Sequence, residues 1–312
     1  MEPSIQAVDL TKRYHTARRP PAVDALSFHI PSGFLYGLVG PDGAGKTTTL
    51  RILATVIPQT SGSASLMGWD VRRDAEKIRS SIGYMPQNFS LYPDLSVIEN
   101  LNFFARLHGV KGQVKQQRID EMLGFTRLAE FTGRRAGNLS GGMKKKLALA
   151  CALIHNPQVL ILDEPSTGVD PVSRRELWAI LARVVNQGVT VLVSTPYMDE
   201  AERCSEVGII YQGRMLTSGT PDQLKSSLPY EIVEVKAKPR KTLRQAVQGT
   251  PDILAWRPVG DRLRLSVVNP VQVQQSLSNT LSAQNAVVRF IRRARVNMED
   301  VFIQVADQRA QG

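Results

Sequence analysis

The run Gly40-Pro41-Asp42-Gly43-Ala44-Gly45-Lys46-Thr47 is a complete phosphate-binding loop, and the apolar run before it, Phe34-Leu35-Tyr36-Gly37-Leu38-Val39, reads as a buried strand. The pair dictates a strand, a tight glycine turn and a helix, and it implies a nucleoside triphosphate as ligand. The glycines let the backbone curl so that successive N–H groups point at phosphate oxygens. The helix opening at Lys46 adds the positive end of its dipole. In this arrangement Lys46 reaches the β- and γ-phosphates and the Thr47 hydroxyl ligates Mg²⁺. The expected nucleotide-binding set is therefore Gly40, Pro41, Asp42, Gly43, Ala44, Gly45, Lys46, Thr47 and Thr48.

A chain of 312 residues is too long for one average domain and predicts two, each with its own core. The two cysteines, Cys151 and Cys204, have no spacing suited to zinc or a disulfide framework, so they read as core thiols of a reduced, cytosolic protein. The N-terminus lacks the layout of a secretion signal and no apolar run approaches a bilayer span, which predicts a chain that neither crosses a membrane nor leaves the cytosol. A formal net charge of +11 implies an anionic partner without choosing among nucleic acid, lipid headgroups and nucleotide. Much of the excess lies late, in Lys236, Lys238, Arg240, Lys241 and Arg244 and again in Arg289, Arg292, Arg293 and Arg295. Its simplest reading is solvated strand edges and helix faces.

The pattern around the loop predicts an α/β P-loop core over residues 1–225. Val159-Leu160-Ile161-Leu162 and Val189 to Val193 are unalternating aliphatic runs, as strands buried on both faces of a parallel sheet should be, and a helix from Arg174 to Val185 lies between them. Helical periodicity from Ser96 to Leu128 indicates an inserted helical subdomain, about 88–157. Alternating strands and short helices over 230–312 predict a small α+β domain of ferredoxin-like βαββαβ order.

Asp163 and Glu164 end a buried strand. A carboxylate there can hold Mg²⁺, and its neighbour can polarise the attacking water without being neutralised by the metal. Asp163 is read as the metal ligand and Glu164 as the general base. Leu139-Ser140-Gly141-Gly142-Met143 precedes a helix expected to begin near Lys144 and forms a second glycine-lined anion site. One chain with two such ends and one acidic strand suggests that a partner's nucleotide occupies the second.

In order, Gly40 to Thr47, Gln87 after Met85-Pro86, Leu139 to Met143 and Val159 to Glu164 resemble the ATP-binding subunit of an ABC transporter. Met143 to Leu147 and Met298-Glu299-Asp300-Val301-Phe302 resemble its ABC-2 type branch, whose members power efflux of drugs, polysaccharides or lipids. The resemblance implies that Tyr14 stacks on adenine, that Gln87 senses Mg²⁺ and the attacking water, and that Asp170 crosses a dimer interface. Thr47, Gln87 and Asp163 would hold the metal, and Ser140, Gly141 and Gly142 would face the nucleotide of the opposite chain. It implies ATP and Mg²⁺ as cofactors, a multi-span permease and a second ATP-binding subunit as partners, and a peripheral place on the cytoplasmic face of a bacterial inner membrane. Ribosome- or DNA-acting relatives carry two cores or a long coiled coil, which this chain lacks, so no nucleic acid is expected.

One position departs from the family pattern. Where the family has a histidine on the γ-phosphate, this chain has Pro196, which has no side-chain donor and no N–H. His15, His29, His108 and His155 lie elsewhere and read as surface or packing residues. Binding should survive and hydrolysis should suffer, and the alternative reading is a catalytically weak, nucleotide-gated half of a heterodimer. Smaller departures are Asp42, where asparagine is commoner, and Met143, where glutamine is commoner.

Overall fold

The computed structural model describes residues 3–14, 20–88 and 90–311, and His15 lies outside them. The chain divides into two compact units, Met1–Pro221 and Asp222–Gly312. The first unit opens with β1 (Pro3–Lys12), β2 (Val23–Pro31), β3 (Leu35–Val39), α1 (Lys46–Leu53), β4 (Ser61–Leu66), β5 (Trp69–Asp70), α2 (Ala75–Ser81) and β6 (Ile82–Met85). The helices α3 (Val97–Leu107), α4 (Gly112–Thr126) and α5 (Gly141–Leu153) follow. It closes with β7 (Val159–Asp163), α6 (Pro171–Asn186), β8 (Thr190–Thr195), α7 (Met198–Ala201), β9 (Glu206–Tyr211) and β10 (Arg214–Gly219).

The central sheet has the order β10-β9-β3-β8-β7-β6, with β10 an antiparallel edge on otherwise parallel strands. β3, β7 and β8 are buried along their whole length, which is why their sequences show no alternation. The pairs Val39↔Thr195 and Asp163↔Ser194 bring three strand ends to one level. In an open parallel sheet that carboxyl edge is where ligands bind. An antiparallel sheet, β2-β1-β4-β5, shares a core with it: Ile5, Leu26 and Leu66 cluster with Leu38, Ile161 and Leu192.

The helical insertion starts firmly. At α3 the Ser96 hydroxyl accepts the Glu99 N–H at 3.3 Å and the Glu99 carboxylate accepts the Ser96 N–H at 2.7 Å, a reciprocal capping box. At α5 the structure corrects the expectation of a start near Lys144. The helix begins at Gly141, with Ser140 as N-cap accepting the Met143 N–H at 3.3 Å. Two glycines are poor helix formers, but packing overrides them. A Cβ on Gly142 would lie 2.4 Å from Ser173 Oγ, so only glycine allows this approach.

In the second unit, α8 (Pro221–Ser226) leads into β11 (Glu231–Lys238), α9 (Arg240–Gln248), β12 (Ile253–Val259), β13 (Arg262–Val267), α10 (Pro270–Ala283), β14 (Val287–Ala294) and α11 (Met298–Gln311). The sheet order is β12-β13-β11-β14, every pairing antiparallel. Val233, Val235, Leu263 and Leu265 form a core with Leu243, Val247, Val273 and Leu277 of α9 and α10. The strand residues between them carry a buried ion network. Arg264, 7% exposed, donates to Asp300 of α11 through Nε and Nη2 at 2.9 and 2.6 Å and to Glu234 at 3.1 Å. Burial pushes the Asp300 carboxyl up, but hydrogen bonds from Arg264, the Asn297 backbone and Arg257 hold it below the usual range.

A carboxyl with a depressed folded pKa stabilises the fold above its unfolded value, about 3.9, and the contribution is lost as pH falls through the folded value. Removing one partner of a buried pair costs about 3–5 kcal/mol. Arg264→Leu is therefore expected to destabilise the second unit by about 3 kcal/mol, read as an earlier transition in scanning calorimetry of the full chain.

Candidate nucleotide site

α1 opens directly at Lys46, and Gly45 before it adopts φ +105°. A Cβ there would also lie 2.4 Å from the Ala22 carbonyl oxygen, so the turn and the close approach both demand glycine. Asp42, Gly43, Ala44, Gly45, Lys46, Thr47 and Thr48 line a cleft of about 370 Å³ together with Ala22, Gln87 and Glu164. Gly40 and Pro41 serve through their carbonyl oxygens, which accept the Lys46 ammonium at 2.9 and 3.1 Å.

A buried cation must be paired. Lys46 is 3% exposed and its ammonium lies 3.4 Å from Glu164 Oε1. The other carboxylate oxygen of Glu164 accepts from Gln87 Nε2 at 2.9 Å and from the Thr167 hydroxyl at 3.2 Å. The Glu164 N–H donates to the Ser194 carbonyl at 3.2 Å and hydroxyl at 3.0 Å. These contacts hold the residue at φ +48°, a left-handed conformation that costs a non-glycine residue about 1–3 kcal/mol and clusters at functional sites.

Asp163 is fully buried, and its Oδ1 accepts the Thr47 hydroxyl at 3.0 Å and the Ser194 hydroxyl at 2.7 Å. Burial raises its pKa, with the bonds from Ser194 and Thr47 opposing. Its Oδ2 is buried and has no hydrogen-bond partner. An orphaned carboxylate oxygen beside a threonine hydroxyl is a donor set that Mg²⁺ fits, because this ion takes one or two protein oxygens and completes its shell with water and phosphate. No cluster of three or more His, Cys, Asp or Glu suited to a metal occurs among the described residues.

Other expected site residues lie apart from this cleft. Tyr14 is 46% exposed, with Lys12 Nζ 5.3 Å from its ring centroid, and does not line the cleft. Ser140 and Gly141 are exposed and Gly142 is buried against Ser173. Asp170 is exposed and caps α6, its Oδ1 accepting the Val172 and Ser173 N–H groups at 3.0 Å each. Hydrogen bonds from Ser173 hold its carboxyl below the usual range. The second anion site and Asp170 thus meet within one chain, a contact that the sequence does not announce.

Pro196 follows Thr195, whose carbonyl accepts the Gly40 N–H at 3.3 Å, so position 196 flanks the phosphate loop. The segment after it is fixed by Glu200, fully buried, which accepts from Arg174 Nε at 2.6 Å and Trp178 Nε1 at 3.0 Å. Sequence reasoning missed Ser194, Thr167 and Lys145. A serine directly after the buried run Val191 to Val193, itself inside the wholly buried strand, was the available signal for the first. Lys145 Nζ donates to the Gln87 carbonyl at 2.8 Å and lies 3.5 Å from the Glu164 carbonyl.

A phosphate loop, a magnesium-suited aspartate and a glutamate joined to a glutamine, all at the carboxyl edge of a parallel sheet, define a P-loop nucleotide-binding protein. The ABC transporter family profile matches residues 23–167. "Nod factor export ATP-binding protein I" of Paraburkholderia xenovorans (strain LB400) is 35% identical over 307 residues, covering 98% of each chain. "Probable multidrug ABC transporter ATP-binding protein YbhF" of Escherichia coli (strain K12) is 49% identical over 219 residues, or 70% of this chain, which spans 38% of that relative's length. A solved ATP binding subunit of an ABC transporter superposes with a TM-score of 0.65 at 28% identity, covering 71% of this chain and 92% of the other. The chain belongs to the ABC transporter family of ATP-binding subunits, a family of ATPases.

Proposed function

We propose that the chain binds and hydrolyses ATP as the motor subunit of an ABC-2 type exporter, working as a dimer on the cytoplasmic face of a bacterial inner membrane. The observation that carries this reading is the contact of Lys46 with Glu164, and of Glu164 with Gln87, in one cleft beside Asp163 and Thr47. The names of its relatives, one a Nod factor export protein and one a probable multidrug transporter protein, favour efflux. No helix among the described residues is long and apolar enough to cross a membrane, so a separate permease would supply the path. The order β12-β13-β11-β14 supports a ferredoxin-like reading of the second unit.

In the proposed cycle the loop N–H groups and Lys46 hold the phosphates, and Gln87 and Thr167 orient Glu164 toward a water molecule. Asp163, Thr47 and Gln87 would hold Mg²⁺, which supplies charge neutralisation on the phosphate oxygens. The exposed Ser140 and Gly141 and the capping Asp170 would face the nucleotide of a second subunit, identical or homologous. Closure of the pair around ATP would favour one state of the permease, and hydrolysis would reopen it.

Pro196 favours a second reading, a catalytically weak half paired with an active sibling. A single preorganised donor on developing charge is worth about 10²–10³-fold in turnover. Because Glu200 fixes the backbone here, Pro196→His is expected to raise the steady-state ATPase rate by up to about that factor. An unaltered rate, already that of an ordinary ATPase, would show that Pro196 does not limit the chemistry.

A further inference from the structure

We infer that Lys145 is a positioning residue, the tie that fixes the Gln87 segment against the Glu164 turn. It rests on the reading of those two residues as the pair that orients water.

Successive helical residues point about 100° apart, and the lysines of α5 accordingly serve different neighbours. Lys146 forms an ion pair with Glu176 on α6 and fastens helix to helix. Lys145 turns toward the strand ends instead, donating to the Gln87 carbonyl at 2.8 Å and reaching the Glu164 carbonyl at 3.5 Å. Both contacts are to backbone, so they fix the segments whichever rotamers Gln87 and Glu164 adopt. Partial burial lowers the pKa of the Lys145 ammonium, and the charges of Asp163 and Glu164 offset only part of this.

The side-chain bond between Gln87 and Glu164 closes the triangle at 2.9 Å. Gln87 is exposed and lies between β6 and α3, outside any helix or strand. Lys145 joins it to α5, the helix that Ser140 caps. A displacement of Ser140 by a second subunit would thus pull on Gln87 and on the Glu164 turn together. With proline at position 196, the contacts that orient Glu164 are those with Lys46, Gln87, Thr167 and Ser194 together with this tie.

The test compares Lys145→Met, Lys145→Gln and Lys145→Arg in the full chain by hydrogen exchange without nucleotide and by steady-state ATPase kinetics. A bond to a charged group is worth roughly 10-fold or more. Methionine and glutamine are expected to speed exchange over residues 84–88 and to lower kcat by roughly 10-fold, with KM for ATP unchanged. Arginine, whose guanidinium still reaches both carbonyls, should retain protection and rate. Unchanged exchange in both the methionine and glutamine variants, or kcat and KM moving together, or arginine failing as methionine does, would overturn the inference. An unaltered chain with no ATPase activity would sink the proposed function instead, and the exchange measurement would still decide the tie.

Discussion

Glu164→Gln is expected to lower kcat for ATP hydrolysis by about 10²–10⁴-fold while MgATP stays bound. The substitution keeps the shape and the oxygen that accepts from Gln87 and Thr167 and removes the negative charge that makes a base. It also removes the anion paired with the buried Lys46 ammonium, 3.4 Å away. The phosphate oxygens then become the better partner for that cation, so nucleotide should be retained more tightly as turnover fails. Phosphate release, bound nucleotide after gel filtration and the mass of the particle by light scattering separate these effects. A variant that still hydrolyses ATP at half the original rate would remove Glu164 from the role of base.

Lys46→Met is expected to abolish hydrolysis and to weaken MgATP binding by roughly 10- to 100-fold, the worth of a charge-assisted hydrogen bond to phosphate. The ammonium is held by the carbonyls of Gly40 and Pro41 and so is aimed before ligand arrives. Methionine keeps most of the stem's volume, and fluorescent-nucleotide titration with thermal unfolding of the same variant distinguishes lost affinity from lost fold. Wild-type affinity in a folded Lys46→Met chain would contradict the assignment.

The parts of this fold that were legible in the sequence are those where burial is uniform. The five consecutive buried residues of β3 and of β7 are too short a run for a buried helix and are bounded by turn signals, which favours a central parallel strand. β4, Ser61–Leu66, escaped because Ser-Gly-Ser-Ala-Ser carries little β propensity, and pairing with β1, with Ile5 opposite Leu66, makes it a strand. β9 and β10 escaped because the hairpin between them depends on Gln212 and Gly213, both at positive φ. In the site, spacing alone points to the loop, Asp163 and Glu164, because each is positioned by local backbone geometry at a strand end. Lys145 and Ser194 act across 58 and 31 residues of sequence, on Gln87 and Asp163 respectively. Tertiary packing places them, and no local pattern encodes it. The start of α5 at Gly141 is not legible for the same reason, since the close approach of Gly142 to Ser173 comes from packing against α6.

The most direct measurement of the central claim is a calorimetric titration of the folded, nucleotide-free chain with MgATP. The account predicts saturable uptake of one nucleotide per chain, weakened when a chelator strips the metal that Asp163 and Thr47 would hold. No uptake, or uptake indifferent to magnesium, would contradict it.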